Sequence, residues 1–201
     1  VYDFDLLVEV IHRGFYLLLI FMKTSILKGL RVTLRPLKVK DAENYVRWFS
    51  DREVMKYFNQ SVWKINLKKE KSAIRSMQRN KTSINWAIEL DGEHIGGTGL
   101  RLDKKNDVAS WGIIIGDKKQ WGKGYAVEII NLCADYFFKK LKGERFELNV
   151  EMGNERALKA YKKAGFKLEG VVRNYGYNKL LKRRISYGIM SILRDEWTKN
   201  K

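Results

Sequence analysis

The chain has 201 residues, 45% hydrophobic and 31% charged, which suits one sizeable core, is marginal for two, and excludes a disordered chain. A single cysteine, Cys133, excludes an internal disulfide and a cysteine-built zinc site, and the two histidines, His12 and His94, have no ligand cluster around them, so no metal site is expected. The net charge of +17 favours acidic partners such as nucleotides, nucleic acid or acidic proteins, but the basic residues are spread along the chain; a solvated lysine-rich surface is the plainer reading and a nucleic-acid face the second.

Residues 1–21 differ from the remainder. Phe15–Met22 is too short to span a bilayer, and the acidic residues before it and the missing small-residue cleavage site argue against a secretory signal. Met22 opens what reads as an ordinary domain, so 1–21 is taken as an extension and 22–201 as the domain; the alternatives for 1–21 are a docking helix or an oligomer contact. Gly29–Leu37 alternates as a first strand, ended by Pro36, the only proline. Asp41 is placed to cap a helix through about Phe49, and Asp51–Phe58 reads as a second short helix. Asn59–Lys64 is a loop, and Leu67–Asn80 a basic helix with a sparse apolar face. Ser83–Leu90 and Glu93–Leu102 form a hairpin about Asp91-Gly92; Gly96, Gly97 and Gly99 let something approach the second strand closely.

The next stretch organises the rest. The strand Val108–Ile115 runs into a polar loop carrying Gly122 and Gly124, and an amphipathic helix runs from about Ala126 to about Leu141. A strand, a glycine loop and a helix N-terminus in that order make a seat for an anion such as a phosphate. Glu144–Val150 is another strand. Asn154 caps a helix with Ala157, Tyr161 and Ala164 on one face, and Gly165 ends it. Lys167–Tyr177 and Arg184–Leu193 are the last strands, joined by a basic loop at Asn178–Arg183. The order predicts a single mixed α/β domain without a repeat or linker. Cys133 falls in the helical apolar pattern and reads as core rather than as a nucleophile. By spacing alone Tyr161 is either a core tyrosine or a functional phenol, Asn154 a cap or a ligand contact, and Lys123 a solvated charge or a phosphate neighbour.

Four segments carry a resemblance to the GNAT superfamily of acyl-CoA-dependent N-acetyltransferases, and within it to the RimJ/RimL-type branch. They are LRPLKVKDAENYVRWFSDREVMKYF, WGIIIGDKKQWGKGYAVE, NVEMGNERALKAYKKAGFKLEG and SYGIMSILRDEW, and the resemblance covers about Leu30–Trp197. It implies a mixed central sheet of about six to seven strands flanked by helices. It also implies acetyl-CoA as donor, with the pyrophosphate on Gln120, Trp121, Gly122, Lys123, Gly124, Tyr125 and Ala126. Trp121 stands where the superfamily usually has Gln or Arg, an aromatic that this branch tolerates. The pantetheine arm would run along the backbone of Ile113, Ile114 and Ile115, with Asn154, Ala157 and Tyr161 on the other side. Tyr161 is then the general acid for the leaving thiolate, and the backbone N–H near Ile114 a fixed oxyanion donor.

No general base stands out: Glu89, Glu93, Glu128, Glu151 and a water relay are all open. The branch implies a protein N-terminal α-amine, ribosomal proteins included, as acceptor, with ribosome association; the single thiol suits a reducing compartment and no targeting signal is recognisable, so a cytoplasmic setting without membrane attachment is expected. An α-amine, with a pKa of roughly 8 against roughly 10.4 for lysine, needs little help to lose its proton. The alternatives are a small amine (a polyamine, amino sugar or aminoglycoside) and a non-catalytic basic CoA- or RNA-binding module. The excess positive charge disfavours a polycation unless Asp41, Glu43, Asp51 and Glu53 form a local acidic patch. The pattern leaves monomer and homodimer both open.

Overall fold

The computed structural model describes residues 24–58 and 66–199. The 1–21 extension, Met22 and the Asn59–Lys64 loop lie outside the described residues. In chain order come β1 (Leu27–Lys28), β2 (Val32–Pro36), α1 (Ala42–Ser50), α2 (Leu67–Arg79), β3 (Ser83–Leu90), β4 (Glu93–Asp103) and β5 (Val108–Ile115). Then follow α3 (Tyr125–Asp135), β6 (Arg145–Glu151), α4 (Glu155–Lys163), β7 (Lys167–Asn178), β8 (Arg183–Leu193) and α5 (Arg194–Lys199). The strands form one eight-stranded sheet in the order β1-β2-β3-β4-β5-β6-β8-β7. Every neighbouring pair is antiparallel except β5 with β6.

The mixed α/β fold is the expected one, with eight strands rather than six to seven. The addition is β1, whose two residues pair with Thr33 and Leu34 and are too few to show an alternating pattern. Side chains alternate across the sheet, so each strand supplies two cores. Trp86, Phe146, Ile129, Ile130 and Met190 belong to the face covered by α3, α4 and α5. Ala42, Tyr45, Trp48, Ile74 and Ala87 belong to the face covered by α1 and α2, and Ile114 and Trp121 pack against them. Cys133 is fully buried in the first core, and burial pushes its thiol up to about 12. It is inert packing, as its place in the sequence suggested.

Three local expectations change. Asp51–Phe58 forms turns rather than a helix, because the Asp51 carboxylate accepts the N–H groups of Glu53 (2.8 Å) and Val54 (3.3 Å) and holds the chain in an Asx turn. The long helix after the glycine loop ends as a regular α-helix at Asp135 and continues as a π turn over Tyr136–Lys140. Asp41 does not cap α1 with its side chain. Its carboxylate instead takes both arms of Arg35 (2.8 and 2.9 Å) and the N–H of Lys38 (2.7 Å). Arg35 also donates to Glu89 (2.7 Å), so this buried network ties the entry of α1 to β2 and β3.

His94 completes the network. Burial lowers its pKa, so the ring is neutral, with Nε2 donating to Gly96 O (2.9 Å) and Nδ1 accepting from Asn44 (3.1 Å).

Burial alone would raise the Asp41 pKa, but the bonds from Arg35 and Lys38 outweigh it and the net shift is downward. Its contribution to stability is therefore complete above the ordinary carboxylate pKa of roughly 3.9 and is lost as pH falls through the lower folded-state value. Asp41→Ala is expected to cost about 3 kcal/mol, at the low end for a broken buried pair because Glu89 still faces Arg35. Urea unfolding across a pH series checks this: the loss should shrink at the acid end, and a pH-independent loss would contradict it.

Candidate active site

β5 and β6 pair only through Val108↔Arg145, Ala109↔Phe146 and Ser110↔Glu147. Beyond Ser110 the strands part. The gap is the mouth of a cleft of about 960 Å³ lined by Trp111–Ile115, Leu148–Glu151, the glycine loop and α4. The parting leaves one edge of β5 without a strand partner. Gly116 N donates to Ile95 O (2.9 Å), which fixes the phase of the β4–β5 ladder. Alternation then turns the main chain of Ile114 and Gly112 towards Gly97 and Gly99 of β4, and that of Ile113 and Ile115 towards the gap. The Ile114 N–H expected as an oxyanion donor thus faces the ladder. Ile113 and Ile115 hold the N–H groups on the open edge.

The loop is built around two left-handed glycines, Gly122 (φ 77°) and Gly124 (φ 81°). Gly124 is the N-cap of α3 and offers no side chain. The N–H groups of Gly122, Lys123, Gly124, Tyr125 and Ala126 have no acceptor among the described residues, whereas Trp121 N bonds Lys118 O and Val127 N bonds Gly124 O. Five successive free donors at a helix N-terminus form an anion seat. The surrounding charge agrees with that chemistry: Arg31, Lys123, Arg156, Lys159 and Lys163 line the same cleft. These residues fit a phosphate-bearing ligand.

All the residues expected to hold acetyl-CoA border this one cleft: Ile113, Ile114 and Ile115; Gln120, Trp121, Gly122, Lys123, Gly124, Tyr125 and Ala126; Asn154, Ala157 and Tyr161. Asn154 caps α4 through the N–H of Ala157 (3.2 Å), so its side chain is at least partly spent on its own helix. Lys123 Nζ bonds Gln120 Oε1 (3.0 Å), an exposed contact that lays the two side chains along the loop. Trp121 has a structural duty: its Nε1 donates to Ile115 O (2.7 Å) and pins the loop to the end of β5.

The Tyr161 ring packs edge-on against Trp111 (5.7 Å, 83°) and beside Phe166. Its hydroxyl has no protein partner among the described residues, and burial pushes its pKa up to about 12 despite the nearby charge of Arg156. The phenol therefore keeps its proton throughout the neutral range and is available as a donor.

The four carboxylates weighed as bases separate by position. Glu89 is bound to Arg35, and Glu93 opens β4 just after the hairpin turn, lining a smaller pocket. Glu128 accepts from the N–H groups of Arg31 (2.7 Å) and Val32 (3.1 Å) and from the Arg31 side chain (2.9 Å). Burial raises its pKa, but those donors outweigh burial and hold it below the usual range. It is a clamp between α3 and β2. Glu151 alone of the four reaches the cleft from the α1/α2 face of the sheet, where it accepts from Arg183 (2.6 Å) and Asn178 (3.2 Å).

The proposed acidic patch is not a unit: Asp41 is spent on Arg35, and Asp51 and Glu53 share Lys118. Nor do the β4 glycines admit a ligand. A side chain at Gly97 would strike the Tyr45 hydroxyl, and one at Gly99 the Asn85 side chain.

Several residues at the cleft carry no signal in the sequence. Arg156 from α4 lies over the Trp121 ring (3.9 Å), and Tyr57, Phe58 and Tyr187 border the opening on the α1/α2 face. They reach the site from segments far apart in sequence, and no local spacing relates them.

A family model described as acetyltransferase (GNAT) domain matches residues 31–167. The chain belongs to the GNAT family of N-acetyltransferases. Among GNAT relatives, an uncharacterized N-acetyltransferase, p20, of Bacillus licheniformis is 31% identical over 83% of this chain and 95% of its own length. The spermidine N(1)-acetyltransferase of Escherichia coli is 29% identical over 69% of this chain and 74% of its own. The solved spermidine N-acetyltransferase of Vibrio cholerae, in complex with CoA and spermine, superposes with a TM-score of 0.76 at 23% identity, covering 84% of this chain and 98% of that one. That likeness establishes the GNAT fold. Among the described residues no helix is long and apolar enough to cross a membrane, and no cluster of His, Cys, Asp and Glu is arranged to hold a metal.

If Glu128 is a clamp and not a base, Glu128→Gln should lower the thermal midpoint, by about 1–3 kcal/mol of stability. It should leave the acid limb of the kcat/KM pH profile where it was. Disappearance of that limb would restore Glu128 as the base.

Proposed function

We propose that this GNAT protein transfers the acetyl group of acetyl-CoA to a primary amine of a small cationic acceptor of the polyamine class. The observation that carries the acceptor is the opening of the cleft on the α1/α2 face. There the rings of Tyr57, Phe58 and Tyr187 stand with the carboxylates of Glu53 and Glu151. Aromatic faces and carboxylates together suit an alkylammonium chain. Lys118 and Arg183 partly balance those carboxylates, so the opening carries little net negative charge of its own. The named E. coli relative, a spermidine acetyltransferase, supports the same reading. It takes precedence over the protein N-terminus expected from the RimJ/RimL-type resemblance, for which no feature of the opening speaks.

Acetyl-CoA supplies an activated thioester carbonyl. The free N–H groups on the open edge of β5, at Ile113 and Ile115, are fixed donors for the carbonyl oxygen as charge develops on it. The 122–126 donors would hold the pyrophosphate, and Tyr161, on the α4 wall of the same cleft, would lie towards the leaving sulfur. A phenol at about 12 is a weaker acid than an ordinary alkyl thiol at roughly 8.5. Its part is then a hydrogen bond that stabilises the departing thiolate, and the proton released by the amine balances the thiol product. A polyamine primary amine, like lysine at roughly 10.4, enters protonated. Glu151, the carboxylate on that side, has its oxygens held by Arg183 and Asn178, so its part is to attract the ammonium group, and the amine's proton passes to water.

An acceptor screen with acetyl-CoA, read as thiol release, tests the substrate class. Spermidine and spermine should give the highest kcat/KM among polyamines, L-amino acids, aminoglycosides and N-terminal peptides. Turnover confined to peptides would overturn the reading. Tyr161→Phe should lower kcat by about 10²-fold with little change in the acetyl-CoA KM; an unchanged kcat would remove Tyr161 from the chemistry.

A further inference from the structure

Arg156 occupies a place that is electrostatically unfavourable for a cation. It is the second residue of α4, in the turn where the helix dipole favours negative charge. Across the cleft stand the five free N–H donors of residues 122–126, at the positive end of α3. Arg31, Arg35, Arg145, Arg183 and Arg194 each pair with a carboxylate. Arg156 has no such partner among the described residues. Its guanidinium lies instead over the face of Trp121, 3.9 Å from the ring centre.

That contact fixes the guanidinium rather than neutralising it. The indole is itself held, by its bond to Ile115 O and by packing against the α1/α2 core. A guanidinium stacked on a ring keeps its N–H edge free for a planar bidentate acceptor. Arg31, the other arginine lining the cleft, is spent on Glu128 and on Lys123 O. An exposed arginine stacked on a ring, without a carboxylate partner among the described residues, beside a row of free amide donors is an arrangement that an anion would complete.

We infer that Arg156, positioned by Trp121, is a phosphate ligand of the cleft, meeting the pyrophosphate of CoA from the α4 wall while the 122–126 amides meet it from the loop. This rests on the reading of the cleft as an acetyl-CoA site. Trp121 is a positioning residue with two separable parts: its ring face carries Arg156, and its Nε1 carries the loop.

The test is direct binding to the full chain, by titration calorimetry with CoA and 3′-dephospho-CoA and by ligand-observed NMR with pantetheine, which lacks the pyrophosphate. Arg156→Gln should weaken CoA and 3′-dephospho-CoA alike, by about tenfold or more, the size of a lost charge-assisted bond. Pantetheine binding should not change. Arg156→Lys, which keeps the charge but not the planar stack, should fall between. Trp121→Leu, which also frees the loop from Ile115, should weaken CoA at least as much as Arg156→Gln, and adding Arg156→Gln to Trp121→Leu should cost no further affinity. Trp121→Phe, which keeps a ring but no donor, should retain most of the Arg156 effect.

Wild-type affinity for CoA in Arg156→Gln, or an equal loss for pantetheine, would overturn the inference. A loss that vanishes with 3′-dephospho-CoA would overturn the pyrophosphate placement. A wild-type protein that does not bind CoA would overturn the acetyl-CoA reading itself, a result distinct from any difference between variants.

Discussion

The parting of β5 from β6 after Ser110 and Glu147 is the constraint on which the rest of the molecule depends. A parallel pair that stops after three residues leaves main-chain donors and acceptors on the edge of a central strand, where they would otherwise be lost to the sheet. It also opens a passage between the two faces of the sheet. On the α3/α4 face lie Tyr161, Ala157 and the start of α3; on the α1/α2 face lie Glu151, Tyr187 and the Asp51–Phe58 turns. A donor and an acceptor can therefore enter from opposite sides and meet at β5.

Such a gap in a sheet needs rigid surroundings, and each wall has its own fastening. Glu128 gathers the N–H groups of Arg31 and Val32 and ties α3 to the start of β2. Trp121 pins the loop to Ile115. The Arg35–Asp41–Glu89 network, with the neutral His94 beside it, ties α1 to the sheet on the far side. Glu151 is anchored by Arg183 and Asn178, and Asn178 also reaches Lys56 O, so β6, β8 and the turns after α1 are held by one group of side chains. These carboxylates serve mainly as acceptors for donors that the fold brings to them, so residue type alone does not single out a catalytic base.

The glycines illustrate the difference between a residue that can bind and one that must yield space. Gly122 and Gly124 have positive φ and frame free amides, so their conformation serves the anion seat. Gly97 and Gly99 carry the same letter in the sequence, yet they make room for Tyr45 and Asn85. Both pairs predict a close approach of something to the backbone. Only the packing decides whether that something is a ligand or another part of the protein.

The sequence by itself determined the order of elements, the hairpin at Asp91-Gly92, the glycine loop ahead of α3 and the Asn154 cap of α4. Each of these is written in contacts a few residues apart, where period, capping and turn chemistry act locally. It also determined which segments would meet in one site, because motif order along a known fold carries that information. The tertiary structure decided what depended on distant partners. It turned Ile114 to the ladder and Ile113 and Ile115 to the gap, through the phase of pairing with β4. It spent Asp41 on Arg35 and Glu128 on the N–H groups of Arg31 and Val32, and set Glu151, held by Arg183 and Asn178, beside the opening. It laid Arg156 of α4 on Trp121 of the loop, a pair 35 positions apart whose meeting no local pattern records. A side chain's residue type is fixed by the sequence, but its charge environment and its partner are fixed only by what the fold brings within a few ångströms of it.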